Sequence, residues 1–176
     1  MQFNKSLMTA ALLAIGSLAA VSANAATTGS FNVKIKIIST CNVNADVGAQ
    51  DIDFSNVVAG TPEATVGAVT STTALSVQCS TGTPYIVTLS PSSTNTDGTG
   101  TMTGPGTAIG YKLTSNAAGT TAWGNTGVVG AVGNSVSSTG TGVTSLNSHP
   151  VYATLTSSTD VAIGDYSDLV TVAVLY

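Results

Sequence analysis

Short runs in which apolar and polar side chains alternate, separated by joints rich in Gly, Thr, Ser and Pro, dominate this chain. Phe31-Asn32-Val33-Lys34-Ile35-Lys36-Ile37 alternates throughout, and Ala74, Ser76 and Gln78 interleave with Leu75, Val77 and Cys79. Tyr85-Ile86-Val87-Thr88-Leu89 is β-branched and aromatic between Gly82-Thr83-Pro84 and Pro91. Ala108 to Leu113, Val151 to Leu155 and Val170 to Tyr176 are further candidates. A period of two sends alternate side chains to opposite faces of a strand. No window after the opening residues carries the 3.6-residue apolar stripe of a helix. The spacing therefore predicts an all-β sandwich or barrel with very little helix. Segments 92–106 and 117–142 are mostly turn chemistry and are expected to be loops. The second has room for one or two strands around Val128 to Val136, because Thr and Val favour strands even amid glycine.

Composition narrows the function. Disordered chains combine low hydrophobicity with high charge, whereas this one is 43% hydrophobic and 7% charged. It has no arginine and a net charge of −4, which leaves little with which to bind nucleic-acid phosphates. One histidine and two cysteines are too few for a structural zinc site. The length of 176 residues suits one domain, and no internal repeat or linker divides it.

The amino terminus reads as an address. Lys5 precedes an apolar run from Leu7 to Ala20, and Ala23-Asn24-Ala25 is the small-x-small pattern cut by signal peptidase. The run is shorter than the roughly 20 residues that span a bilayer. Residues 1–25 are thus expected to be a secretory signal peptide, with no membrane span in the mature chain. Export places Cys41 and Cys79 in an oxidising compartment, where an even pair predicts a structural disulfide. A redox-active pair would need the close Cys-x-x-Cys spacing.

Candidates for catalysis are weak. His149 stands directly before Pro150, which restrains it to extended backbone in a loop or at a strand entry. No Gly-x-Ser-x-Gly elbow accompanies it. Asp51 and Asp53 are two apart, so on a strand their carboxylates share a face, and a solvated face is the expected role. Asp165 and Asp168 look like parts of a turn feeding the last strand. Gly104, Gly106 and Gly110 lack the preceding strand and following helix of a phosphate cradle. No enzyme, metal site or cofactor is expected.

The run from Phe31 to Ile37 is open to two readings. It could be the first strand of a self-contained secreted coat or binding domain. It could instead complete the sheet of another copy by strand addition. Burying four such side chains is worth on the order of 6–12 kcal/mol before ordering costs, and periodicity does not choose between the two.

The residues also resemble a known family. Thr28-Gly29 leads into the alternating run, then come Cys41-Asn42-Val43, Val77-Gln78-Cys79-Ser80 and Gly82-Thr83-Pro84-Tyr85. Tyr111-Lys112-Leu113, Trp123-Gly124 and Val151-Tyr152 follow, and Gly164-Asp165-Tyr166-x-Asp168 precedes an alternating run to the terminal Tyr176. In that order these resemble the spore coat protein U family, and within it the major pilin subunits of archaic chaperone–usher pili. The nearly uncharged, Gly/Thr-rich residues 92–142 depart from the family's usual middle segment.

The resemblance implies an incomplete immunoglobulin-like sandwich, stapled by a Cys41–Cys79 disulfide and completed by a donor strand. It implies an amino-terminal extension over residues 26–39 ahead of a pilin domain over 40–176. Phe31, Val33, Ile35 and Ile37 would enter the neighbour's pockets. Val170, Val172, Val174 and Tyr176 would edge the groove and contact a periplasmic chaperone. It further implies secretion through an outer-membrane usher, polymerisation of identical subunits into a cell-surface pilus, and a part in surface adhesion and biofilm formation.

Overall fold

A computed structural model describes residues 27–67 and 70–176, so the signal peptide expected over 1–25 lies outside the described residues. The chain divides into two units, one ending at Lys36 and the other running from Ile37 to Tyr176. In the first, residues 27–36 form no strand or helix, and Phe31, Val33 and Ile35 are exposed. Apolar alternation is present, and among the described residues no ladder includes 27–36.

The second unit is all-β. Its strands are β1 (Cys41–Asn44), β2 (Thr70–Cys79), β3 (Pro84–Ser90), β4 (Thr99–Met102) and β5 (Ile109–Thr114). β6 (Val136–Thr139), β7 (Asn147–Leu155) and β8 (Thr171–Leu175) follow, and a single helical turn, α1 (Glu63–Val66), lies between β1 and β2. One sheet has the order β1-β2-β7-β5-β4 and the other β6-β3-β8, with every pairing antiparallel.

Alternation explains how the sheets stack. Leu75, Val77 and Cys79 on β2, Tyr85, Val87 and Leu89 on β3, and Ile109, Tyr111 and Leu113 on β5 all turn inward. Val151, Ala153 and Leu155 on β7 join them around Trp123. Each set follows the two-residue period, so one face of each strand meets the core. Each fully buried side chain of this size contributes about 1.5–3 kcal/mol. The Trp123 indole is fully buried, and its N–H donates to the Val87 carbonyl at 2.9 Å.

Cys41 and Cys79 stand opposite each other in the β1–β2 ladder with Cα atoms 4.1 Å apart, and they are disulfide-bonded. That is the close spacing of a non-hydrogen-bonded pair, which brings Cβ atoms within reach of a bridge.

Two strands lie where loops were expected. β4 falls inside 92–106 and pairs with β5, so Gly100 faces Tyr111. A side chain at Gly100 would collide with the Tyr111 ring, which explains a glycine that hides the strand's period. Gly98 just before it has φ of +84°, and a Cβ there would sit 2.5 Å from the Trp123 carbonyl oxygen. β6 lies at the end of 117–142 rather than around Val128 to Val136, where an isolated bridge joins Val128 to Ala131.

Candidate functional site

The two sheets are unequal, and the inequality makes the site. The three-stranded sheet ends at β8, whose outer edge has no neighbouring strand among the described residues, while the sheet facing it is five strands wide. Inward-facing residues of the larger sheet, themselves only 2–3% exposed, form a floor beside β8. A cleft of about 1050 Å³ opens there. Leu75, Leu113, Val151 and Ala153 from the larger sheet and Leu89 from β3 line it. Val170 and Val172 bound it on the β8 side, and the irregular stretch 45–53 contributes Asp46, Asp51, Ile52 and Asp53.

β8 behaves as a strand missing a neighbour. Val172, Ala173, Val174 and Leu175 are all only half-buried, whereas the alternate residues of β7 are nearly sealed. An unpaired edge beside apolar side chains is a template for another strand. Of the four residues singled out on this edge, Val170 and Val172 line the cleft. Val174 packs partly against the core, and Tyr176 lies beyond the strand at 51% exposure. Phe31, Val33, Ile35 and Ile37 are 84–88% exposed in a stretch without secondary structure.

Asp168 organises the cleft's polar end. The Tyr111 phenol donates to its Oδ2 at 2.5 Å, the Ser92 hydroxyl donates to Oδ1, and the Leu169 N–H donates to Oδ1 at 2.9 Å. Tyr111 belongs to one sheet, while Ser92 and Leu169 adjoin strands of the other, so one carboxylate links both layers. Burial first, and then the bond to Asp168, hold the Tyr111 phenol far above its ordinary pKa and keep it a donor.

Asp51 and Asp53 lie on no strand, which corrects the shared strand face. Asp51 accepts the Gly48 N–H at 2.9 Å and Asp53 the Ser55 N–H at 2.6 Å, so both shape turns at the cleft's rim. Tyr111, Met102 and Tyr166 also line the cleft. Tyr111 could have been found from its inward register with Ile109 and Leu113, but Met102 lay in a segment read as loop.

His149 is neither a loop nor a strand-entry residue. It sits within β7, 7% exposed, with Nε2 2.8 Å from the Tyr85 hydroxyl. Asn147 donates to the same hydroxyl at 3.0 Å, and the Tyr85 and Trp123 rings meet the imidazole edge-on. Burial lowers its pKa, so the neutral ring fills a polar niche in the core. Among the described residues no group of three or more His, Cys, Asp or Glu side chains could hold a metal ion, and no helix is long and apolar enough to cross a membrane.

Comparisons with known proteins meet this geometry. No curated protein matches the chain. Among solved structures, it is similar to the CsuC–CsuE chaperone–tip adhesion subunit pre-assembly complex from the archaic chaperone–usher Csu pili of Acinetobacter baumannii. Identity is 23% and the TM-score 0.52, over 80% of this chain and 40% of that one. This chain thus spans less than half of the matched one, and the likeness is one of fold. A family model for the spore coat protein U domain matches residues 27–173, from the exposed amino-terminal stretch into β8. With nearly all of its described length inside that match, the chain belongs to the spore coat protein U domain family.

Proposed function

We propose that this protein is a structural subunit of an extracellular pilus that polymerises by donor-strand exchange. The observation that carries this reading is the cleft with an apolar floor beside the free edge of β8, in a chain that also bears an exposed, alternating apolar segment. Phe31, Val33, Ile35 and Ile37 span about 20 Å when extended, at roughly 3.3 Å per residue. Entering the cleft of the next copy, that segment adds a strand to β8 and packs against Val170 and Val172, above a floor of Leu75, Leu89 and Val151. Main-chain hydrogen bonds along β8 supply affinity, and the alternate side chains supply specificity.

Before assembly the cleft needs a temporary occupant, because an open edge over apolar side chains invites aggregation. A periplasmic chaperone fills that role, with Val170, Val172, Val174 and Tyr176 at the contact, and an outer-membrane usher exchanges it for the next subunit. Membership in the family and the likeness to a chaperone–subunit complex support this reading. The resulting fibre serves surface adhesion and biofilm formation.

Size-exclusion chromatography and unboiled SDS gels test it, on periplasmic protein expressed with and without its chaperone. The full chain is expected to give a ladder of SDS-resistant oligomers and a one-to-one chaperone complex. Deleting residues 26–38 is expected to leave the complex and abolish the ladder. A full-length chain that stays a clean, self-refolding monomer, or a truncated chain that still forms fibres, overturns the proposal.

A further inference from the structure

We infer that Asp46, Asp51 and Asp53 on the rim of the cleft recognise Lys34 and Lys36 on the 31–37 segment of a second copy. In this way they steer its arrival and set which way its polar face leans. The inference rests on the subunit–subunit reading above and adds to it the charges that select the incoming strand.

The charge distribution points there. Lys34 and Lys36 alternate with the apolar residues of the segment, so when it is extended they share the face opposite Phe31, Val33, Ile35 and Ile37. The next lysine along the chain, Lys112, is on β5 and donates to the Gly119 carbonyl at 3.2 Å. With the apolar face turned down into the cleft, the two ammonium groups stand at its mouth. Long lysine stems let the charged ends lean toward either border.

The two borders differ. The stretch 46–53 brings Asp46, Asp51 and Asp53, all exposed. The β8 border brings Asp168, whose oxygens already accept from Tyr111, Ser92 and Leu169. Lys34 and Lys36 therefore lean toward 46–53, while the backbone of the segment pairs along β8.

A rim location decides what these charges do. Exposed ion pairs add little to equilibrium stability, but complementary fields raise association rates and weaken with salt. Two copies of a chain with net charge −4 repel each other at long range. A cationic face on the docking segment, aimed at a carboxylate rim, gives that segment a local attraction the rest of the surface lacks.

The test follows assembly of the full mature chain after release from its chaperone, from about 20 mM to about 500 mM NaCl, where the screening length shrinks several-fold. Wild-type assembly is expected to slow on the order of tenfold across that range. K34Q/K36Q lies in the exposed segment, away from the folded core, and is expected to assemble slowly at low salt with a flat salt response. D46N/D51N/D53N keeps the side-chain acceptors of the rim turns and is expected to do the same. Combining K34E/K36E with D46K/D51N/D53N, which keeps the turn acceptors at 51 and 53, is expected to restore part of the speed and of the salt dependence. Lysine or aspartate variants with the wild-type rate and salt response overturn this inference while wild-type fibres leave the subunit reading standing. A wild-type chain that assembles at no salt concentration overturns both.

Discussion

The sealed and open regions of this sandwich are built from the same strands but do opposite things. Around Trp123, side chains from β2, β3 and β7 close completely: Val77, Val87 and Trp123 have no exposed surface, and Tyr85, His149 and Asn147 satisfy one another. Further along the same two strands, Leu89, Val151 and Ala153 line a cleft bordered by a half-buried β8. Leu89, Val151 and Ala153 are themselves only 2–3% exposed, so the two regions differ at the border, where β8 is half-buried and its outer edge is free among the described residues.

The largest effect expected on breaking that contrast comes from Trp123→Ala. It removes a fully buried indole and leaves the Val87 carbonyl without its donor, at a cost of about 3–5 kcal/mol. The urea midpoint of the chaperone-free monomer, or outright loss of folded protein, reports it. A cost below about 1 kcal/mol would show that the sealed end does not carry the fold.

Val172→Asp sharpens the comparison from the open side. Val172 is only half-buried, at the edge of the core, so the monomer is expected to lose no more than about 1–2 kcal/mol. Assembly, by contrast, is expected to stop, because a carboxylate would face the apolar side chains of the incoming strand. A monomer as damaged as Trp123→Ala, or SDS-resistant oligomers at the wild-type yield, would contradict the division.

The smallest effect belongs to His149. Burial lowers its folded-state pKa, whereas the unfolded chain titrates near the ordinary value of about 6.5. Below that value the unfolded state takes up the proton more readily. The stability tied to this residue is thus complete above about pH 6.5 and is lost as pH falls through the folded-state value. His149→Gln keeps a hydrogen-bonding side chain near Tyr85 and removes the titration. Profiles of urea midpoint against pH for the two proteins should separate in slope only on the acid side, and parallel profiles would exclude a neutral, buried imidazole.

Much of the architecture was legible because alternation is a local signal. Leu75, Val77 and Cys79, or Val151, Ala153 and Leu155, announce both a strand and its inner face. β4 was hidden because Gly100 replaces an alternating side chain in order to pass beneath Tyr111. β1 is only Cys-Asn-Val-Asn, too short to display a period. The partners of His149 lie at residues 85, 123 and 147, and no local pattern could bring them together. The run from Phe31 to Ile37 shows the limit most clearly. Alternation says that one face wants cover, and it does not say which chain provides it. No local pattern shows the cleft either; only the family resemblance implied a groove edged by Val170 and Val172.

The disulfide has a mechanical meaning. In a fibre, a pull enters each subunit through the residues just before Cys41. It meets the sulfur bridge at once and passes to Cys79 at the far end of β2. The tension skips the hydrogen bonds between β1 and β2, so those strands are not unzipped by the load. Cys41 and Cys79 are 38 positions apart, a length of roughly 130 Å if drawn out. That much chain is locked out of any extension, and a subunit that yields under force lengthens only through the strands beyond Cys79.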